Sequence, residues 1–275
     1  MTDLVRVSRG LWRPPDAVDD LIGRTAALLS VAPDGTVIAG LTAAALHGLW
    51  LPPDLPDRIE LVLRRDAEIP KQHSHSKRRE IRGRRRVLLP DEVTVLHGLP
   101  VLTAARTWVD LGEVLQLPDL VASGDSVLRA GVPIEELAIV ASRATHRRGV
   151  RRVRAALPLL DARSRSRPES HMRVAVVTAG LPKPDVNKAV YDDHGQWLFE
   201  PDLGYEDVKL ALEYNGADHA ETDRMRRDMT RAVDAGRRGG WLTVSFGPTE
   251  VFRHPDQLAA YVKELRRERA ALFLR

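Results

Sequence analysis

The stretch Trp197-Leu-Phe-Glu-Pro-Asp202-Leu-Gly-Tyr-Glu-Asp-Val-Lys209-Leu-Ala-Leu-Glu213-Tyr-Asn215-Gly-Ala-Asp-His219 decides how this chain reads. Two strand-length apolar runs, 196–201 and 208–214, flank a short turn containing Gly204, which is the pattern of a β-hairpin. Asp202 closes the first run and Glu213 lies near the end of the second. An antiparallel pairing then brings one carboxylate from each strand to neighbouring positions. Such a pair suits a hard cation: Mg²⁺ takes oxygen ligands in an octahedron and is held by one or two carboxylates plus waters and phosphate oxygens. Taken alone, Asp202 fits a turn before Gly204, since Asp is a favoured turn residue. Glu213 is different, because it interrupts an apolar strand where an unpaired charge is costly. The pattern predicts a metal-dependent phosphodiesterase using Mg²⁺ or Mn²⁺.

Pro201-Asp202 followed by Glu213-Tyr214-Asn215 resembles the PD-(D/E)XK nuclease signature, and the longer string resembles actinobacterial domains related to the very-short-patch repair endonucleases. The likeness extends over roughly 165–275. Upstream, Glu169 opens a helical segment, 170–179, that leads to Gly180-Leu-Pro-Lys-Pro184 and Asn187. Downstream come Gly216, His219, Arg226-Arg227-Asp228 and Gly240-Trp241-Leu-Thr-Val-Ser-Phe246, the last reading as a core strand. The resemblance implies an α/β, restriction-endonuclease-like mixed sheet flanked by helices. It also implies that Asp202, Glu213 and the Tyr214 carbonyl hold the metal, that Glu169 adds an outer ligand, and that Arg226 and Arg227 reach phosphate. Glu169 has a second reading as an acid in the first turn of a helix, where the macrodipole favours it.

One position departs from the family pattern. Asn215 stands where most relatives have lysine, and an amide supplies no positive charge to the attacking water or the developing phosphorane. Lys209, four residues before Glu213 on the same strand face, and His219, whose unperturbed pKa suits proton transfer near neutrality, are the candidates to replace it.

At 275 residues the chain is long enough for two domains. It contains no cysteine, which excludes disulfides, zinc-thiolate sites and cysteine nucleophiles. No stretch approaches the ~20 apolar residues of a membrane span and the N-terminus lacks a signal-peptide core, so a cytoplasmic protein is expected. The net charge of +4 is modest but unevenly spread. Between Lys71 and Arg86, eight Lys or Arg residues, including Arg84, Arg85 and Arg86, face Glu80 alone, and Arg143–Arg154 is a second arginine cluster. With a nuclease-like motif in the same chain, these runs read as surface that follows DNA phosphates.

In the first half, helices are expected at 18–32, 42–48 with Thr42 as N-cap, 103–115, 117–130, 134–143 and 150–160, with strands at 58–63, 87–89 and 93–96. The polar segment Asp161-Ala-Arg-Ser-Arg-Ser-Arg-Pro168 breaks the periodicity and predicts a boundary between an α+β domain, 1–161, and the nuclease-like domain, 162–275. Thr42-Ala-Ala-Ala-Leu-His47-Gly and Leu99-Pro-Val-Leu-Thr-Ala-Ala-Arg106-Thr-Trp-Val-Asp110 resemble the abortive-infection type IV antitoxin family. That likeness implies a winged helix-turn-helix that binds operator DNA. Here the strand-like Val5–Trp12 falls where the wing would be, so the recognition helix is expected to be missing. Arg106 and Asp110, four apart on a helix, read as an ion pair, and His47 as a satisfied core residue. Two function classes follow: a metal-dependent DNA endonuclease with a basic N-terminal grip, or a non-catalytic, antitoxin-like DNA-binding regulator. The oligomeric state is left open, a homodimer included.

Overall fold

The computed structural model of the chain describes residues 5–8, 11–13, 20–56, 58–64, 81–216 and 239–273. It divides into two compact units, residues 1–115 with 132–154 and residues 116–131 with 155–275. The division is not linear, and the polar segment 161–168 lies inside the second unit.

The first unit is built on a five-stranded sheet in the order β5-β4-β3-β7-β6. Its strands are β3 (Thr36–Ile38), β4 (Ile59–Arg64), β5 (Ile81–Arg86), β6 (Val93–Leu96) and β7 (Leu99–Leu102), and a separate hairpin joins β1 (Val5–Ser8) to β2 (Leu11–Arg13). Strand β5 comes from the basic tract and runs parallel to β4 at the sheet edge. A row of arginines is tolerated there because an edge strand faces solvent, and charge on an edge discourages pairing with another chain. The residues 87–89, expected as a strand, are irregular, and β6 pairs instead with β7. The connection is His97-Gly98, both at positive φ (53° and 76°). That is the conformation of the two-residue turn whose twist matches a hairpin.

The helices of this unit are α1 (Leu21–Leu29), α2 (Gly40–Leu46), α3 (Ala104–Leu111), α5 (Ile134–Arg143) and α6 (Val150–Ala156), with α4 (Leu117–Arg129) belonging to the second unit. Helix α2 starts two residues before the expected cap. Thr42 is inside it, donating its hydroxyl to Arg58 O (3.3 Å) and accepting from Glu60 N (2.8 Å). The capping oxygen comes from across the fold, as Glu60 Oε2 accepts from Leu41 N at 3.1 Å. Gly40 makes room for it, since a Cβ there would lie 1.6 Å from that oxygen. Arg106 is fully buried and bridges Glu92 and Asp110, the latter at 3.2 Å. His47 Nε2 meets Leu102 O at 2.8 Å, the satisfied role expected of it.

In the second unit α4 packs against α7 (Arg167–Thr178), which also contacts α8 (Pro255–Phe273). The four-stranded sheet has the order β13-β12-β11-β8, from β8 (Asp185–Val186), β11 (Leu203–Tyr205), β12 (Leu210–Tyr214) and β13 (Leu242–Phe246). The first three strands pair antiparallel, and β12 runs parallel to β13. Alternation along β12 gives two different faces. Leu210 and Leu212 join Met172 and Val176 of α7 and Val262 of α8 in the main core. Ala211 joins Leu198, Phe199 and Trp241 on the opposite face, next to the ribbon of β9 (Val190–Tyr191) and β10 (Trp197–Phe199). The fold is thus a mixed α/β arrangement in both units.

Candidate functional site

The expected hairpin of the runs 196–201 and 208–214 around a Gly204 turn does not form. The first run yields β10, which pairs with β9, while Gly204 lies inside β11, whose Leu203 and Tyr205 are buried. Strand β11 pairs with β12 across the turn Glu206–Val208, with Leu203 opposite Leu212, Gly204 opposite Ala211 and Tyr205 opposite Leu210. One step further along the same register sets Asp202 opposite Glu213. The Asp202 carboxylate reaches across this gap and accepts Tyr214 N at 2.8 Å. On the other side Glu213 is in register with Ser245 of β13, and Ala211 with Thr243. By alternation Glu213, Ser245, Ala211 and Thr243 share one face. The Thr243 hydroxyl is buried there and has no hydrogen-bond partner among the described residues.

Glu169 lies at the start of α7, close in the network but occupied. Its carboxylate accepts from Arg165 N (2.8 Å), the Ser166 hydroxyl (2.7 Å) and the Asn187 amide (2.7 Å). Ser166 is the N-cap of the helix and accepts from Glu169 N (3.4 Å), while the Glu169 side chain reaches back to the Arg165 N–H and the Ser166 hydroxyl. Of the two roles open to it in the sequence, the helix-start role is the one its contacts fill. Among the described residues no group of three or more His, Asp or Glu side chains is gathered to hold a metal ion. The expected set of Asp202, Glu213 and Glu169 is therefore not one cluster.

Asn215 follows the strand and donates its N–H to Phe246 O at 2.9 Å, continuing the ladder beside the acids. Lys209 is not brought to them. It precedes β12 in the left-handed conformation (φ 50°), at the far end of the strand from Glu213, and its Nζ sits 5.7 Å from the Phe273 ring centre. The expected shared face with Glu213 does not hold, because Lys209 precedes the strand in a left-handed turn to which period-two alternation does not apply, and its side chain goes to Phe273 of α8. His219, Arg226 and Arg227 lie outside the described residues.

Sequence reasoning passed over a second polar cluster. Asp119 of α4 accepts from Arg167 Nε (2.8 Å) and meets His171 Nε2 (2.9 Å), while Phe252 packs edge-on to His171 and under the Arg167 guanidinium. Arg167 and His171, four apart, sit on one side of α7, a spacing visible in sequence; the partner on α4 was not. Burial pushes the Asp119 carboxyl up, but the hydrogen bonds and charges of His171 and Arg167 outweigh it and leave its pKa below the ordinary value. A depressed folded-state pKa gives stability that is present above the unfolded value of about 3.9 and is lost as pH falls through the folded one. Thermal melts taken from about pH 6 down to pH 3 should show this loss. Asp119→Asn should be less stable at neutral pH and flatter toward acid, and an unchanged profile would remove Asp119 from the account.

In the first unit the basic strand is partly neutralised. Arg82 pairs with Glu60 at 3.1 Å, and Arg84 and Arg86 both pair with Glu113. Arg85 is exposed on the other side of the strand. Within the described part of the run, 81–86, alternate arginines are thus paired inside the unit; Lys71, Lys77, Arg78 and Arg79 lie outside the described residues. In the second basic cluster Arg143 pairs with Asp91 (2.7 Å), Arg147 with Asp110 (3.1 Å), and Arg152 donates to Gly112 O and Leu115 O. Arg148, Arg151 and Arg154 are exposed and form no ion pair among the described residues. Arg151 and Arg154 are three apart on α6, and Arg148 lies in the turn before it, ahead of Gly149 at φ 84°.

Residues 37–162 match the AbiEi antitoxin C-terminal domain family, which places the first unit's sheet and most of its helices in an antitoxin-like class. Two uncharacterized proteins of Mycobacterium tuberculosis, MT2308 of strain CDC 1551 / Oshkosh and Rv2248 of strain ATCC 25618 / H37Rv, are each 30% identical over 281 residues, covering 98% of this chain and 94% of theirs. The chain belongs to the same family as these two mycobacterial proteins. Among solved structures, the RV2827C protein of M. tuberculosis gives a TM-score of 0.40 at 20% identity, over 56% of this chain and 60% of that one, a likeness that carries no argument. Among the described residues no helix is long and apolar enough to cross a membrane.

Proposed function

We propose that the chain is an antitoxin-like regulator that binds DNA through its first unit. The match of 37–162 to the AbiEi antitoxin C-terminal domain carries this reading. The exposed arginines Arg148, Arg151 and Arg154, which form no ion pair among the described residues, supply the chemistry: guanidiniums that neutralise phosphates release the counterions condensed on the DNA, which makes binding strongly salt-dependent. Anisotropy titrations of labelled duplex DNA across a salt series test it. Replacing all three arginines with serine should lower the slope of log K against log salt by about 2 to 3, at roughly 0.9 per phosphate contact. If the slope is unchanged, these arginines are only solvated surface. If no duplex binds at low salt, the DNA part of the reading fails.

A second reading is favoured by a specific observation in the other unit. The pairing that sets Asp202 opposite Glu213, in a sheet of three antiparallel strands and one parallel strand, supports the restriction-endonuclease-like scaffold implied by the PD-(D/E)XK resemblance. The residues there fit a hard cation. Two carboxylates and the Tyr214 carbonyl offer oxygen donors, and the Thr243 hydroxyl, with no hydrogen-bond partner among the described residues, leaves a buried polar atom facing the same side. Bound Mg²⁺ or Mn²⁺ would stabilise charge on the phosphoryl and leaving oxygens. In this reading the second unit is a phosphodiesterase tethered to a DNA-binding antitoxin-like unit, and Asn215 in place of lysine leaves His219 as the candidate proton-transfer group.

A further inference from the structure

Asn187 stands where three parts of the second unit meet. It continues the β8–β11 ladder by one step, its N–H donating to Asp202 O at 3.1 Å, and then turns left-handed at φ 44°. Its side-chain amide is thereby swung toward α7, where it donates to Glu169 Oε2 (2.7 Å) and to Arg163 O (2.9 Å). A continuous chain of contacts results: Glu169 carboxylate, Asn187 amide, Asn187 N–H, Asp202 carbonyl, and from the Asp202 carboxylate to Tyr214 N, one residue past Glu213. Asp202 itself lies on a bend outside the regular strand, so its position depends on these anchors and not on the sheet alone.

We infer that Asn187 is a positioning residue for the acid pair, and that Glu169 acts through it instead of ligating an ion. The inference rests on the phosphodiesterase reading of the second unit. The physical reason is the occupancy of Glu169. With three donors already on its carboxylate, direct ligation would strip hydrogen bonds from a helix start, whereas holding Asn187 costs nothing further. Asn187 is suited to the task because asparagine tolerates the left-handed conformation and still carries a donor. Groups one step out from metal ligands commonly change affinity by 10- to 100-fold when removed.

Titration calorimetry of the full chain with Mn²⁺, alongside thermal melts, tests this. Asn187→Gly keeps the left-handed backbone and the N–H to Asp202 while deleting the amide. It should weaken Mn²⁺ binding by about 10-fold or more, with the melting temperature nearly kept. Glu169→Gln keeps an oxygen that accepts the Asn187 amide and should leave binding within a few-fold of wild type. Glu169→Ala, which cuts the chain of contacts, should weaken it as Asn187→Gly does, and the double variant of Glu169→Ala with Asn187→Gly should be little worse than either single change. Asn187→Ser, uncharged and too short to reach Glu169, should match Asn187→Gly and guards against a glycine-specific loss of folding. Wild-type affinity in the Asn187 variants overturns the inference while leaving the phosphodiesterase reading standing. Additive losses, or a large loss in Glu169→Gln, would make Glu169 a direct ligand and also overturn it. If the unaltered chain takes up no Mn²⁺, the underlying reading falls and this one with it.

Discussion

Arg173→Ala is expected to destabilise the second unit by about 3–5 kcal/mol, a large share of the roughly 5–15 kcal/mol that holds a typical domain folded. Arg173 is fully buried on α7, and Asp125 of α4 is fully buried beside it. The guanidinium donates to Asp125, to the Ser164 hydroxyl and, from Nε at 3.2 Å, to Leu159 O. Asp125 also accepts from Asp161 N at 2.7 Å and from the Ser170 hydroxyl. Burial pushes the Asp125 carboxyl above its ordinary value, against the pull of Arg173, Ser170 and the Asp161 N–H. Deleting Arg173 leaves that carboxylate without its cation in a dry site, which is far more costly than never having built the pair. The double change Arg173→Met with Asp125→Leu should therefore recover much of the loss. Denaturant melts of the single and double variants decide it, and a single variant within about 1 kcal/mol of wild type would show that the pair is not the clamp between α4 and α7.

Glu213→Gln is expected to separate the two functions. In the phosphodiesterase reading the amide removes one charge at nearly constant shape, so cleavage of single-stranded, duplex or mismatched DNA with Mg²⁺ or Mn²⁺ should fall by roughly 10³-fold or more. DNA affinity should hold or rise, because a carboxylate no longer repels phosphate. His219→Ala should slow the same reaction by roughly 10²–10⁴-fold if His219 transfers a proton. Should the unaltered protein cut none of these substrates, and show no ion uptake that depends on Asp202 and Glu213, the phosphodiesterase reading ends and the regulator stands alone.

Local pattern carried the sequence a long way at particular places. The apolar run 208–214 predicted β12, but its partner was misplaced: the run 196–201 pairs with β9, and Gly204, expected in the turn, is inside β11, because Leu203 and Tyr205 on either side of it are buried in the core. The spacing of Arg106 and Asp110 predicted their ion pair, since residues four apart on a helix are neighbours. Other features depended on partners distant in the chain. The cap of α2 comes from Glu60, the second partner of Arg106 is Glu92, and Arg84 and Arg86 are held by Glu113, none of which follows from local spacing.

What the sequence by itself determined is therefore the short-range grammar: the strand that carries Glu213, most of the helices, and the antitoxin-like strings around Thr42 and Leu99. The tertiary structure decided which charges remain available. It drew α4 into the second unit through Asp125 and Arg173, filled the Glu169 carboxylate with three donors, aimed Lys209 at Phe273, and left Arg148, Arg151 and Arg154 exposed. The reason is physical. Backbone periodicity depends on neighbours a few residues away, whereas the fate of a charge depends on whichever opposite charge or dipole the fold brings within about 4 Å, and that distance has no counterpart along the chain.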